Sequence, residues 1–162
     1  MRRAWRGLAA AVLAAGVTGC GGGDDGGDPV RAAPAVEREV RAVFDDYAAA
    51  RREGDWARAC AHLDPASVEQ LRKDAAKLRG DVPEDCAGQL GLIATALGGD
   101  DRRQLDQIDE TAKVDGVYET EPPRADQVVI AWAAHVDGRR VAVQQPARRI
   151  DGTWKLVGAG VG

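Results

Sequence analysis

Lysine is nearly missing from this sequence. Only Lys73, Lys77, Lys113 and Lys155 occur, while arginine and alanine abound, a bias associated with GC-rich bacterial genomes. Acidic residues outnumber basic ones, 26 to 22, for a formal charge of −4. That balance argues against a nucleic-acid partner, which calls for a basic face. Long apolar runs are missing too. The run from Leu8 to Val17 has ten residues, against the roughly 20 that a bilayer-spanning helix needs. Metal-ligand spacing is also lacking: Cys60, Cys86 and His62 have no fourth ligand at a zinc-like distance along the chain. The glycine tracts carry no nucleotide fingerprint. Residues 21–28 are followed by neither Lys-Ser nor Lys-Thr, and Gly158 to Gly162 has no helix after it. No acid and base come together at a recognisable spacing, so the sequence assigns no catalytic residue and no cofactor.

What is present begins at the N-terminus. Arg2, Arg3 and Arg6 precede the ten-residue apolar run, the charge order of an export signal. Val17-Thr18-Gly19-Cys20 resembles the lipobox of bacterial prolipoproteins, in which cleavage frees a cysteine that carries a diacylglycerol. The resemblance implies removal of residues 1–19, lipid on Cys20, and a protein held at the extracytoplasmic face of the cell membrane. Residues 21–28 hold only glycine and aspartate; such a segment resists ordering and stays solvated, as a tether should. Residues 20–33 are therefore read as lipidated cysteine plus tether, and residues 34–162 as one domain. Cys60 and Cys86 remain, and in an oxidising compartment such a pair is expected to form a disulfide.

The domain reads as helices first and strands second. Pro34 opens a segment in which Val36, Val40, Val43, Phe44 and Tyr47 follow the 3.6-residue period up to Gly54. Asp55 caps a short helix from Trp56 to His62. Asp64-Pro65 starts another through Val68, Leu71, Ala75 and Leu78, and Pro83 begins a fourth along Cys86, Leu90, Ile93 and Leu97, closed by Gly98 and Gly99. After Gly99 the period changes. A weak strand is expected over Ile108 to Tyr118, then Val128, Ile130, Trp132 and Ala134 alternate with smaller residues. Asp137-Gly138 turns into Val141 to Val143, flanked by Arg139, Arg140, Arg148 and Arg149, and Asp151-Gly152 turns into Trp154 to Leu156. This is an α+β fold, with N-terminal helices on an antiparallel sheet of about four strands.

The long first helix, the stretch EGDWARAC (Glu53 to Cys60), LDPAS (Leu63 to Ser67) and the closing DGTWKLV (Asp151 to Val157) together resemble the nuclear-transport-factor-2-like, or SnoaL-like, superfamily. The resemblance spans Pro34 to Val157. It implies a cone, in which a curved sheet wraps the first helix around a pocket; members include isomerases, dehydratases and accessory domains. Many members place a hairpin between the second and third helices, where this chain reads as helical. The residues expected to line the cone are Phe44, Tyr47, Ile130, Trp132 and Trp154, with no ionisable pair on those faces. Tyr47 is the best placed polar group. His135 falls on the outer face by strand parity, and His62 adjoins a helix end. The expectation is a non-catalytic binding or accessory module whose partner is the membrane through its lipid, and an apolar small molecule or an envelope protein through its domain. The alternative is an isomerase or dehydratase acting on an apolar small molecule.

Overall fold

In the first helix, α1 (Pro34–Glu53), proline at the first position fixes the helical φ, and Gly54, at φ +70°, closes the last turn in a left-handed conformation that favours glycine. The computed structural model describes residues 28–158 apart from Arg79, so the expected export signal, Cys20 and most of the expected tether lie outside the described residues. Val40, Phe44, Tyr47 and Arg51 recur along one stripe of α1, and all four are buried.

The short α2 (Trp56–Ala61) is capped by the Asp55 carboxylate, which accepts from the Arg58 amide at 3.1 Å. Helix α3 (Pro65–Leu78) starts where the Asp64 carboxylate accepts from the Ser67 amide at 2.8 Å. Helix α4 (Cys86–Ala96) begins later than Pro83, because Asp85 is the cap and its carboxylate accepts from the Gly88 amide at 2.8 Å. Cys60 and Cys86 are joined in a disulfide that staples α2 to the first residue of α4.

A fifth helix corrects the sequence reading. Helix α5 (Gly99–Thr111) occupies the start of the expected strand from Ile108, and β1 is confined to Lys113–Glu119. Asp100 and Asp101 sit in the first turn of α5, where the helix dipole favours negative charge, and Arg102 pairs with Asp106 four residues on. Leu105, Ile108 and Ala112 turn towards the protein at helical spacing. The pair Gly98-Gly99 therefore starts a helix as well as ending one.

Strands β1, β2 (Gln127–Val136), β3 (Arg139–Ile150) and β4 (Thr153–Leu156) form one antiparallel meander in sequence order. The two Asp-Gly hairpin turns have positive φ at both residues, +50° and +76° at Asp137-Gly138 and +49° and +79° at Asp151-Gly152. Strand β3 is longer than expected. It pairs with β2 from Arg139 to Arg148, so the four arginines lie within the strand and not beside it. The polar stretch Gln144-Gln145-Pro146 hides this continuity. Pro146 stands where β3 has no β4 partner, since β4 pairs only with residues 147–150.

Val128, Ile130, Trp132 and Ala134 are all buried on one face of β2, as strand parity requires. Helix α1 packs against β1 and β4, and α5 against β2. Both sheet edges are covered. Residues 30–32, within the range assigned to the tether, bond to β1 through Ala32 N to Val117 O and Glu119 N to Val30 O, each 2.9 Å. On the other edge, Asp64 N donates to Leu156 O at 3.0 Å and Leu156 N to His62 O at 2.7 Å.

The Cys60–Cys86 link closes a loop with a sequence separation of 26. Replacing both cysteines by serine is expected to lower unfolding stability by about 3 kcal/mol through the entropy of the unfolded chain. Urea unfolding of the double variant measures it. A loss below about 1 kcal/mol would show that the link does not constrain the unfolded chain as the loop model requires.

Candidate functional site

Trp132 on β2 lies directly across from Phe44 on α1, their ring centroids 5.5 Å apart. Beside them, Tyr47 and Arg51 continue the α1 stripe, Ile108, Asp109 and Ala112 come from the C-terminal end of α5, and Gln145 comes from β3. Together these residues line a small, partly open cavity of about 20 Å³. That is room for a single water molecule. All five residues expected to line the interior are buried, but they separate in space. Phe44, Tyr47 and Trp132 line the cavity, whereas Ile130 and Trp154 do not. The Trp154 indole N–H donates to Glu39 Oε2 at 3.1 Å, with the Arg149 guanidinium 5.7 Å from its ring centroid.

The cavity contains a charged pair, which corrects the expectation that no ionisable pair shares these faces. Arg51 Nη2 is 3.1 Å from Asp109 Oδ1 and donates to Oδ2 at 3.3 Å. Their side chains are only 6% and 13% exposed. Arg51 Nη1 also donates to the Tyr47 hydroxyl at 3.5 Å, and its guanidinium carbon is 5.6 Å from the Tyr47 ring centroid. Arg52 fixes the same turn of α5 from outside by donating to the Asp109 carbonyl at 3.1 Å. Gln145 uses its amide nitrogen on Gly158 O at 2.9 Å. The Trp132 indole N–H is buried and has no hydrogen-bond partner among the described residues.

Burial sets the protonation of this cluster. It pushes the Asp109 carboxyl above its ordinary value, with Arg51 pulling part of the way back. Burial also raises the Tyr47 phenol, again against Arg51. The phenol therefore keeps its proton, while Arg51 and, to a smaller extent, Arg102 favour the ionised form of the Asp109 carboxyl against its burial.

Sequence reasoning missed Arg51 and Asp109 for different reasons. Arg51 was legible, because it follows Tyr47 by four residues and Phe44 by seven, on the stripe already identified as inward-facing. Asp109 was not, since Ile108 to Tyr118 reads as a strand. The histidines lie elsewhere. His135 is exposed, as expected, and His62, at the end of α2, has Nε2 2.6 Å from the half-exposed Asp46 Oδ2. A second groove of about 190 Å³ lies at Leu78, Leu92, Thr95 and Ala96, and the Thr95 hydroxyl there is already bonded to Gly91 O and Leu92 O. The chain matches no family model, no curated protein and no solved structure.

A carboxyl whose folded pKa is raised binds its proton more tightly in the native state than in the unfolded one. Its contribution to stability is thus fully present below the unfolded value, near 3.8 for Asp109, and is lost as pH rises through the raised folded value. Asp109→Asn removes this segment of the pH dependence. In urea unfolding across the acid to neutral range, the stability of the wild type minus that of Asp109→Asn is expected to fall with rising pH and then level off. A difference that stays constant with pH would contradict the burial of Asp109.

Proposed function

We propose that the chain is a lipid-anchored protein of the bacterial envelope, whose domain on the extracytoplasmic face of the membrane is a non-catalytic binding or accessory module. The lipobox-like Val17 to Cys20 and the glycine and aspartate tract after it support the anchor. The Cys60–Cys86 disulfide supports an oxidising compartment. Helices followed by a four-stranded meander, with α1 reaching both outer strands, support a cone of the nuclear-transport-factor-2-like kind.

One observation carries the binding reading. Trp132 lines this mostly apolar pocket, and its buried indole N–H has no acceptor among the described residues. Buried donors are nearly always paired, so this one calls for an acceptor, which a water or a ligand oxygen can supply. An apolar wall with a few convergent polar groups is also the usual make-up of a small-molecule site.

The enzyme reading has its own observation. Asp109 is a largely buried carboxyl with a raised pKa whose charge also acts on Tyr47, a perturbation of the kind that general acids and bases show. The two readings differ in what Tyr47→Phe does. A binding module retains its ligand and its host phenotype after loss of one hydroxyl, whereas an enzyme using Tyr47 loses its phenotype while staying folded.

Two measurements test the proposal. Cys20→Ala is expected to move the protein out of the membrane fraction; a variant still membrane-bound, with its signal cut elsewhere, contradicts the anchor. Native mass spectrometry of protein from its own host is expected to show a retained small molecule or a stoichiometric partner. Bare protein under mild desolvation contradicts the binding reading.

A further inference from the structure

We propose that the first half of β3 is a pairing edge, and that its partner is a second copy of this chain, joined to it in antiparallel register about Ala142.

The covered edges of the sheet are those of β1 and β4. Strand β4 is short and pairs only with residues 147–150 of β3, and Val157 extends its line by one bond, donating to Pro146 O at 2.9 Å. Gly158 then leaves extended backbone, at φ +84°. Residues 139–144 of β3 stand beyond that point, with a strand on one side alone among the described residues. The hairpin decides which main-chain groups are free. Across a two-residue turn the flanking residues, Val136 and Arg139, bond to each other, so odd-numbered residues of β3 face β2 and even-numbered ones face away. Two bonds show this parity: Arg149 N donates to Asp126 O on the β2 side, and Pro146 O accepts from Val157 N on the outer side. The amides and carbonyls of Arg140, Ala142 and Gln144 therefore point away from the sheet, and none is bonded among the described residues. Such a row is a template for another strand.

The row is complementary to itself. With a two-fold axis at Ala142, Ala142 faces its own copy and Arg140 faces Gln144 of the second copy, so every outward residue is matched and six main-chain hydrogen bonds form. Neighbouring registers do not achieve this. An axis at Val143 sets Arg140 against Pro146, which has no N–H, and an axis at Val141 sets Gln144 against the turn at Gly138. The side chains favour the same register. Val141, 42% exposed, lies across from Val143 of the second copy at a position without main-chain bonds, where side chains approach most closely, and the symmetry makes two such valine pairs. On the other face Arg140, already paired with Asp115, meets the neutral Gln144 and no like charge. A contact this short makes a reversible dimer, at the low end of interface size.

The test uses the full chain carrying Cys20→Ala, which leaves no free thiol beside the Cys60–Cys86 disulfide. Sedimentation equilibrium is expected to show a reversible step from monomer to dimer. Val141→Lys, at an exposed position, and Ala142→Pro, which removes an outward amide and no bond of the hairpin, are each expected to weaken the dimer tenfold or more while the monomer stays folded. Adding Ala142→Cys reads the register. Opposed hydrogen-bonded residues have Cα atoms about 5.5 Å apart, within the roughly 4.4–6.8 Å that a disulfide spans, so this variant is expected to cross-link to its copy on mild oxidation. Gln144→Cys, displaced from its own copy by about 14 Å along the strands, is expected to cross-link at least tenfold less. A chain that stays monomeric at its highest soluble concentration overturns the proposal, as does a dimer that neither Val141→Lys nor Ala142→Pro weakens, or equal cross-linking at the two cysteines. A dimer seen only after removal of residues 159–162 would assign the edge to the chain's own C-terminus, and a one-to-one complex with a different protein that Val141→Lys abolishes would assign it to that protein; either result overturns the second copy as its partner.

Discussion

Val40, Phe44, Tyr47 and Arg51 follow one another along α1 at intervals of four, three and four residues, and that single stripe sets the interior of the domain. Its first three members are apolar or aromatic, and each stabilises the fold by about 1.5–3 kcal/mol when buried. The fourth is an arginine on the same geometric path. Residues four apart lie on the same side of a helix, and on this stripe Tyr47 and Arg51 are both buried.

A buried guanidinium needs a counter-charge, since an ion moved from water into protein loses several kcal/mol of hydration. Helix α5 supplies it. Asp109 stands at the inner side of that helix, and the bonds of Arg52 to the Asp109 carbonyl and of Thr111 to His135 hold the turn between α1 and the second strand. The same arrangement explains the protonation. Arg51 does not fully offset the burial of Asp109, so the carboxyl remains easier to protonate than one in water. The pair thus puts two charged groups among largely apolar residues of the interior. The disulfide acts elsewhere, joining α2 to α4.

How much of this was legible in the sequence depended on whether one local signal spoke for each element. Pro34 and Gly54 bracket α1, the two Asp-Gly pairs mark hairpins, and the alternation from Val128 to Ala134 marks a buried strand face; each has one physical meaning and each was read correctly. Gly98-Gly99 has two meanings, a helix end and a helix start, and the dense charge of Gly99 to Thr111 leaves only Leu105 and Ile108 to show the helical period. Strand β3 was cut short because Gln144, Gln145 and Pro146 break the apolar alternation, although Gln145 faces inward and is buried. The candidate site was half visible. Phe44, Tyr47 and Trp132 came from periodicity, whereas Arg51 required extending that period into a charged residue, and Asp109 required knowing that α5 exists.

Arg51 and Asp109 act as one buried unit. A double-mutant cycle with Arg51→Met and Asp109→Leu, read by urea unfolding near neutral pH, tests it most directly. Each single change should remove roughly 3 kcal/mol or more by leaving one buried charge alone. Changing both should lose much less than the sum, with a coupling of at least about 1 kcal/mol. Losses that simply add would show that the two groups do not depend on each other and would contradict the account.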